Sequence, residues 1–151
     1  MLALLQLLMM ISLLAFGTLL VPDVGECWLL SNALGKTNAP ATYTLALFAS
    51  STTPAEGDTL ATYTKAAGGG YADKTLTAAN WAAPATVAGV SSTSYAEQTF
   101  TFTGTLTTNP NIYGYYWFDS GTLILAERAA ASFTPTNNGD TYKVTPYLEL
   151  S

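Results

Sequence analysis

The rhythm of hydrophobic positions changes twice along this chain. Residues 1–22, MLALLQLLMMISLLAFGTLLVP, are almost continuously apolar and carry no charged side chain before Asp23. The next stretch, PDVGECWLLSNALGK at 22–36, has a helical period, with Val24, Cys27, Trp28, Ser31 and Leu34 on one stripe. Asp23 is placed to N-cap it, and Glu26 three residues later completes a capping-box pattern. Gly35 suits the position just past the helix, and Lys36 suits its negative end. The spacing predicts a short helix over about 24–34.

From Thr42 the period falls to two. In TYTLALFA (42–49) Tyr43, Leu45, Leu47 and Ala49 share one face. A loop, SSTTPAEGDT, follows. The stretch around Gly68, Gly69 and Gly70 reads as a strand, a flexible loop and a second short strand near 74–78. NWAAPATVAG reads as loop or irregular strand, with Trp81 anchored in the core. SYAEQTFTFTGTL (94–106) is the cleanest strand, with Phe100, Phe102 and Leu106 on one face and Thr99, Thr101, Thr103 and Thr105 on the other. After a turn at 107–111, IYGYYWFD and TLILAERA form two strands joined tightly at Ser120-Gly121. Asn138-Gly139 signals a type I′ turn. TYKVTPYLELS then alternates, with Tyr142, Val144, Leu148 and Leu150 inward, and Pro146 suggests an edge position. Short strands with turns about every ten residues predict a mainly β protein, an antiparallel β-sandwich or jelly-roll-like domain. The expected organisation is a hydrophobic arm over 1–22, a short capped helix over 23–36 and the sandwich over 40–151.

The apolar start admits three readings. About 20 apolar residues can span a bilayer as an anchor. Ala15-Phe16-Gly17 resembles the cleavage site of a secretory signal. The third reading is an arm buried in a protein assembly, with Leu4, Leu5, Leu8, Leu13, Leu14 and Phe16 as its contact residues. The stretch has no Lys or Arg, which weakens the first two readings. Glu26 stands directly before Cys27, where a lipoprotein signal needs a small residue.

Composition narrows the chemistry. The 151 residues suit a single domain able to bury roughly two thirds of its unfolded surface. A single cysteine excludes an intramolecular disulfide. Ten acidic side chains against five basic ones, a net charge of −5, argue against an electrostatic nucleic-acid binder. There is no histidine, so Ser-His-Asp and Cys-His catalysis and a Cys/His zinc site are excluded, and no phosphate-binding glycine motif occurs. Asp58, Asp73 and Asp140 leave calcium open without any EF-hand spacing. Asp119 and Glu127, on opposite strands of one hairpin, are the one carboxylate pair that could do acid–base work, and turn-opening and solvation explain them better. Neither a cofactor nor a metal site is expected.

The stretch YGYYWFD places five aromatic rings in six positions, 113–118. Strand parity sends Tyr113, Tyr115 and Trp117 one way and Tyr116 and Phe118 the other. The partner strand is apolar on both sides as well, with Leu123 and Leu125 on one face and Ile124 and Ala126 on the other. A sugar or base platform needs rings on one exposed face beside polar partners. Rings on both faces point instead to a central strand whose second face is covered. The expected cover is the N-terminal segment together with a neighbouring subunit. That expectation makes Trp28, Tyr115, Tyr116, Trp117 and Phe118 interface residues.

Several phrases occur in a fixed order: VPDVGE at 21–26, GYADKTLT at 70–77 with Trp81, YAEQTFTFTG at 95–104, IYGYYWFDSGTLILAER at 112–128 and NNGDTYKVTP at 137–146. Together they resemble small virion proteins of tailed bacteriophages, mostly from aquatic phages and metaviromes. The resemblance covers residues 21–151 and contains no catalytic motif. It implies a structural part of the particle, foremost a head decoration (cement) protein on the outer capsid surface. Such a module binds the major capsid protein and copies of itself, as a dimer or trimer. The long apolar stretch before Val21 departs from the short N-terminus of that group. Alternatives are a phage tail or receptor-binding module, or a membrane-anchored or secreted β-sandwich that binds carbohydrate. An enzyme using carboxylates alone finds no support in the sequence.

Overall fold

The computed structural model describes residues 18–150. Ten strands and one α-helix follow in chain order: β1 (Thr18–Leu20), α1 (Asp23–Ala33), β2 (Thr42–Phe48), β3 (Lys74–Thr77), β4 (Ala85–Val87), β5 (Val90–Ser94), β6 (Gln98–Thr101), β7 (Ile112–Asp119), β8 (Thr122–Phe133), β9 (Thr141–Val144) and β10 (Tyr147–Leu150). The fold is mainly β, and the strands pair antiparallel throughout the described residues. A five-stranded sheet has the order β1-β8-β7-β2-β3. The sheet β10-β5-β4 and the ribbon β6-β9 are the smaller pairings. Leu45, Leu47, Tyr115, Trp117 and Leu125 of the large sheet meet Phe100 of β6, Val144 of β9, and Tyr95 and Phe102 directly after β5 and β6, in one core cluster. This is the expected sandwich with its second layer divided.

The sharp β7–β8 turn is the one the sequence predicts. Ser120 and Gly121 both take positive φ, 47° and 88°, as a type I′ hairpin requires. The faces of β8 differ from strict alternation. Trp117 pairs with Leu125 but Phe118 pairs with Leu123, so Ile124 is the extra residue of a bulge. Ile124 and Leu125 therefore join the Trp117 cluster, while Leu123 and Ala126 join that of Tyr116. The expected grouping of Leu123 with Leu125 and of Ile124 with Ala126 is corrected accordingly.

Thr18–Leu20, expected within the arm, is a strand on the outer edge of β8. Leu4, Leu5, Leu8, Leu13, Leu14 and Phe16 lie outside the described residues. Past β1 the chain turns into α1, which rests directly on β8: a Cβ at Gly25 would lie 2.3 Å from the Ile124 carbonyl oxygen. β1 and then α1 thus cover an edge that would otherwise be open to pairing with another chain. Pro22, not Asp23, is the N-cap, and its carbonyl accepts from the N–H groups of Gly25 and Glu26 at 2.7 and 3.0 Å. The Asp23 N–H donates instead to Glu56 O at 2.9 Å, which draws that residue into the first turn. At the far end Lys36 N–H reaches Ser31 O and Gly35 N–H reaches Asn32 O, so the expected glycine stop is present. The inward stripe is rotated from the expected one. Gly25 is buried and Trp28 half-buried, while Cys27 and Leu34 face solvent, because only Gly25 permits contact with the β8 backbone.

Of the clean strand expected over 94–106 only Gln98–Thr101 forms as β6, with Leu106 in a lone bridge to Gly68, although its faces are correct: Phe100, Phe102 and Leu106 are buried and the four threonines exposed. The final stretch divides. β9 pairs with β6 and β10 with β5, and the chain changes sheet at buried Pro146, whose carbonyl accepts from Tyr95 N–H at 2.8 Å. Pro146 therefore marks a break between strands, where its missing N–H removes no ladder bond. At Asn138-Gly139 only Gly139 has positive φ, so this is not a type I′ turn. Asp140 shapes it by accepting from the N–H groups of Thr136 and Asn137 at 2.8 Å each. The run Gly68–Gly70, expected as a flexible loop, has three consecutive positive φ values and packs against the backbone of 103–107, where side chains would collide.

Candidate functional site

The aromatic strand β7 is covered on both faces by its own chain. On one face Tyr115 and Trp117 sit in the sandwich core, 6% and 3% exposed. On the other, Tyr116 is 2% exposed and lies against Tyr63, whose ring stacks on it at 5.6 Å and meets Phe48 at 5.0 Å. Tyr63 belongs to the segment between β2 and β3, and its hydroxyl donates to Asp58 Oδ2 at 2.7 Å. Val24 of α1 and Leu60 complete this second cover. Within the chain itself, the Tyr63 segment excludes water from Tyr116 and the sandwich core excludes it from Tyr115 and Trp117, so these three rings, expected at a subunit interface, are already buried without one. Phe118 and Trp28 stay half-buried. No exposed platform for a sugar or base exists on β7.

The carboxylates do not converge. Tyr115 and Asp119 are four residues apart on β7, and Glu127 pairs with the former and Thr122 with the latter. At ~3.3 Å per residue Asp119 and Glu127 are ~13 Å apart, beyond the ~6.5–9.5 Å of an inverting glycosidase. Asp119 accepts from Trp28 Nε1 at 3.1 Å and from Ser120 Oγ at 3.0 Å. Glu127 accepts from the Tyr115 hydroxyl. Burial raises the Glu127 pKa above its ordinary value, and the Tyr115 hydrogen bond only partly offsets this. Asp73 accepts from Tyr71 at 2.7 Å and pairs with Lys65 at 2.9 Å, while the Tyr71 hydroxyl also accepts from Leu47 N–H. Asp58 and Asp140 hold their own loops. The three aspartates left open for calcium thus stand in separate places, and among the described residues no three His, Cys, Asp or Glu side chains gather around one point. Among those residues, too, no helix is long and apolar enough to cross a membrane.

What the fold does assemble is an aromatic cavity. A space of about 210 Å³ is lined by Trp28, Tyr43, Trp81 and Trp117, with Leu29, Thr93 and Leu148 among its other walls. Its rings come from α1, β2, the residue after a 3-10 turn at Ala78–Asn80, and β7. Trp28 meets Tyr43 at 5.8 Å and 71°, and Tyr43 meets Trp117 at 5.3 Å and 75°, so successive walls are nearly perpendicular. Trp81 closes on Trp117 at 5.3 Å. Burial, and then the charge of Asp119, hold the Tyr43 phenol above its ordinary pKa. The indole N–H groups of Trp81 and Trp117 are buried without a hydrogen-bond partner among the described residues. Each such donor costs about 1–3 kcal/mol, so the rings are held in place against a penalty. Sequence reasoning placed Trp28 and Trp117 at an interface and Trp81 in the core, and it missed that they meet. No local motif signals a set of rings so far apart in the chain.

No protein-family model matches the chain, and comparison with curated proteins and with solved structures finds no match.

Proposed function

We propose that this chain is a non-enzymatic structural protein of a virion, foremost a capsid decoration protein. In this reading it sits on the outer capsid surface, binds the major capsid protein and further copies of itself, and staples neighbouring capsomers. The observation that supports it best is how the carboxylates are used. Asp58, Asp73, Asp119, Glu127 and Asp140 are each engaged in hydrogen bonds that hold this chain's own loops and strands. A fold whose ionisable groups maintain its shape suits endurance and binding better than turnover. The phage-like phrases in the sequence favour the same reading. So do Leu30 of α1 and Leu34 at its C-cap, 61% and 71% exposed and four residues apart, which offer apolar area to a partner. Each Å² of such area covered at a capsomer seam contributes about 25 cal/mol, multiplied by attachment at many points of a shell.

The test uses capsids assembled from the capsid gene that neighbours this chain's own gene. Purified chain is expected to co-sediment with them, and a Leu30→Ser/Leu34→Ser double variant, folded by circular dichroism, to co-sediment less. A chain that stays at the top of the gradient, or a gene neighbourhood without a capsid protein, would overturn the reading. The tryptophan cavity favours a second reading, a tail or receptor-binding module. The membrane-anchored alternative rests on residues 1–17, outside the described residues.

A further inference from the structure

We propose that the cavity between Trp28, Tyr43, Trp81 and Trp117 is a cage for an organic cation, an alkylammonium or guanidinium group, with Asp119 as its counter-charge. The inference is independent of the virion reading. Three features of the site carry it.

The first is shape. Two ring pairs crossing at 71° and 75° enclose a space with aromatic walls in different planes, and a group inside contacts several rings at once. Aromatic faces attract a cation through the ring quadrupole, and several rings around one centre add their contributions. The second is charge. Asp119 stands behind the lining, where it accepts from the Trp28 indole N–H at 3.1 Å and its charge acts on Tyr43, so two of the walls carry its negative field. No lysine or arginine is among the lining residues. Of the five Lys and Arg residues, Lys65, Lys143, Lys74 and Arg128 are engaged elsewhere, with Asp73, Glu97, the Phe100 ring and the Tyr113 ring respectively, and Lys36 is not part of the lining. The chain as a whole carries a net charge of −5, which draws a cationic group toward it. The third is hydration. The lining is mostly apolar, and the hydroxyl of Thr93 is already committed to Ala82 O at 2.6 Å. A strongly hydrated metal ion finds no oxygen shell there, whereas a weakly hydrated organic cation loses little water on entry.

All three tryptophans of the protein line this cavity, so intrinsic fluorescence reports its occupancy directly. The full chain is titrated with choline and, separately, with N-acetyl-arginine amide. Each is paired with an uncharged counterpart of similar shape, 3,3-dimethylbutan-1-ol and N-acetyl-citrulline amide, at matched ionic strength. The expected result is a saturable change with a cation and at least ~10-fold weaker binding of its counterpart, a gap that several stacked cation–π contacts supply. Stronger binding in the choline arm points to a free quaternary ammonium compound. Stronger binding in the arginine arm points to a side chain of a protein partner. Asp119→Asn keeps an oxygen for the Trp28 indole and should weaken the cation alone, by ~5–10-fold. The paired wild-type titrations decide the matter even if that variant folds poorly. Equal binding of charged and uncharged ligands, a saturable response only to a methyl glycoside, or no saturable response up to about 100 mM would each overturn the proposal.

Discussion

Replacing Gly25 by Ala tests the contact that seats α1 and, with it, one wall of the aromatic cavity. The new Cβ would stand 2.3 Å from the Ile124 carbonyl oxygen and 3.0 Å from its carbon, whereas ordinary contact begins at 3.4 Å. Both obstacles are backbone atoms of a strand paired on its other edge with β7, so neither can rotate away. The helix has to retreat by roughly 1 Å, an overpacking that costs about 1–3 kcal/mol. Alanine's better helix propensity returns about 0.8–1.0 kcal/mol. The same retreat stretches the 3.1 Å bond from Trp28 to Asp119, a charge-assisted contact worth about 1.5 kcal/mol when part-exposed. The net expectation is a loss of about 2 kcal/mol, which for a chain of this size lowers the melting temperature by roughly 4–8 °C. Thermal unfolding followed by circular dichroism measures it, with tryptophan emission recording the shift of Trp28. Ala33→Gly, at the exposed last residue of α1, is the control and should cost less than the roughly 1 kcal/mol of a helix interior. A Gly25→Ala protein that melts at or above the wild-type temperature would falsify the seating of α1 on Ile124.

Two further outcomes follow from the same geometry. The Glu127 carboxyl holds its proton more tightly in the folded state than its ordinary value of 4.5 allows. Its contribution to stability is therefore complete below pH 4.5 and declines as pH rises through the raised folded value. Glu127→Gln, which still accepts from Tyr115, should flatten that slope and leave stability at pH 7 equal or higher; a marked loss at pH 7 in denaturant unfolding would contradict this. Arg128 donates to Thr52 O at 2.8 Å and to Ser51 Oγ at 3.3 Å while lying over the Tyr113 ring at 5.4 Å. Arg128→Ala should cost about 1–2 kcal/mol and open the 50–58 segment to limited proteolysis, and an unchanged cleavage pattern would mean that the segment is held by Tyr63 and Asp58 alone.

Alternation along the chain made β2 and β9 legible, because a strand with one buried face must place its apolar residues two apart, while β7 and β8 were legible as apolar runs bounded by turn residues. The Ser120-Gly121 turn was legible because two consecutive positive φ values demand such residues. The bulge at Ile124 was not, since Leu, Ile, Leu and Ala in succession fit either register. The helix was placed within a residue or two, but its inward face was not. Its orientation follows from one glycine fitting the backbone of a strand about a hundred residues away. The use found for Asp119, anchoring Trp28, has no local signature.

By itself the sequence determined the class of the fold and much of the chemistry that is closed to it. A chain without histidine has no imidazole to offer, and period-two stretches with turns between them fold as antiparallel sheets. It also determined that β7 needs cover on both faces, because so many rings do not remain in water. Only the tertiary structure decided what supplies that cover: Tyr63 and Val24 on one side, the ribbon β6-β9 and the sheet β10-β5-β4 on the other. The same is true of the aromatic cavity, whose rings stand at positions 28, 43, 81 and 117. Periodicity records which side of an element is apolar, and nothing in it records which distant element will meet that side. That partner is selected by long-range packing, through shape and volume, among surfaces that all look alike in the sequence.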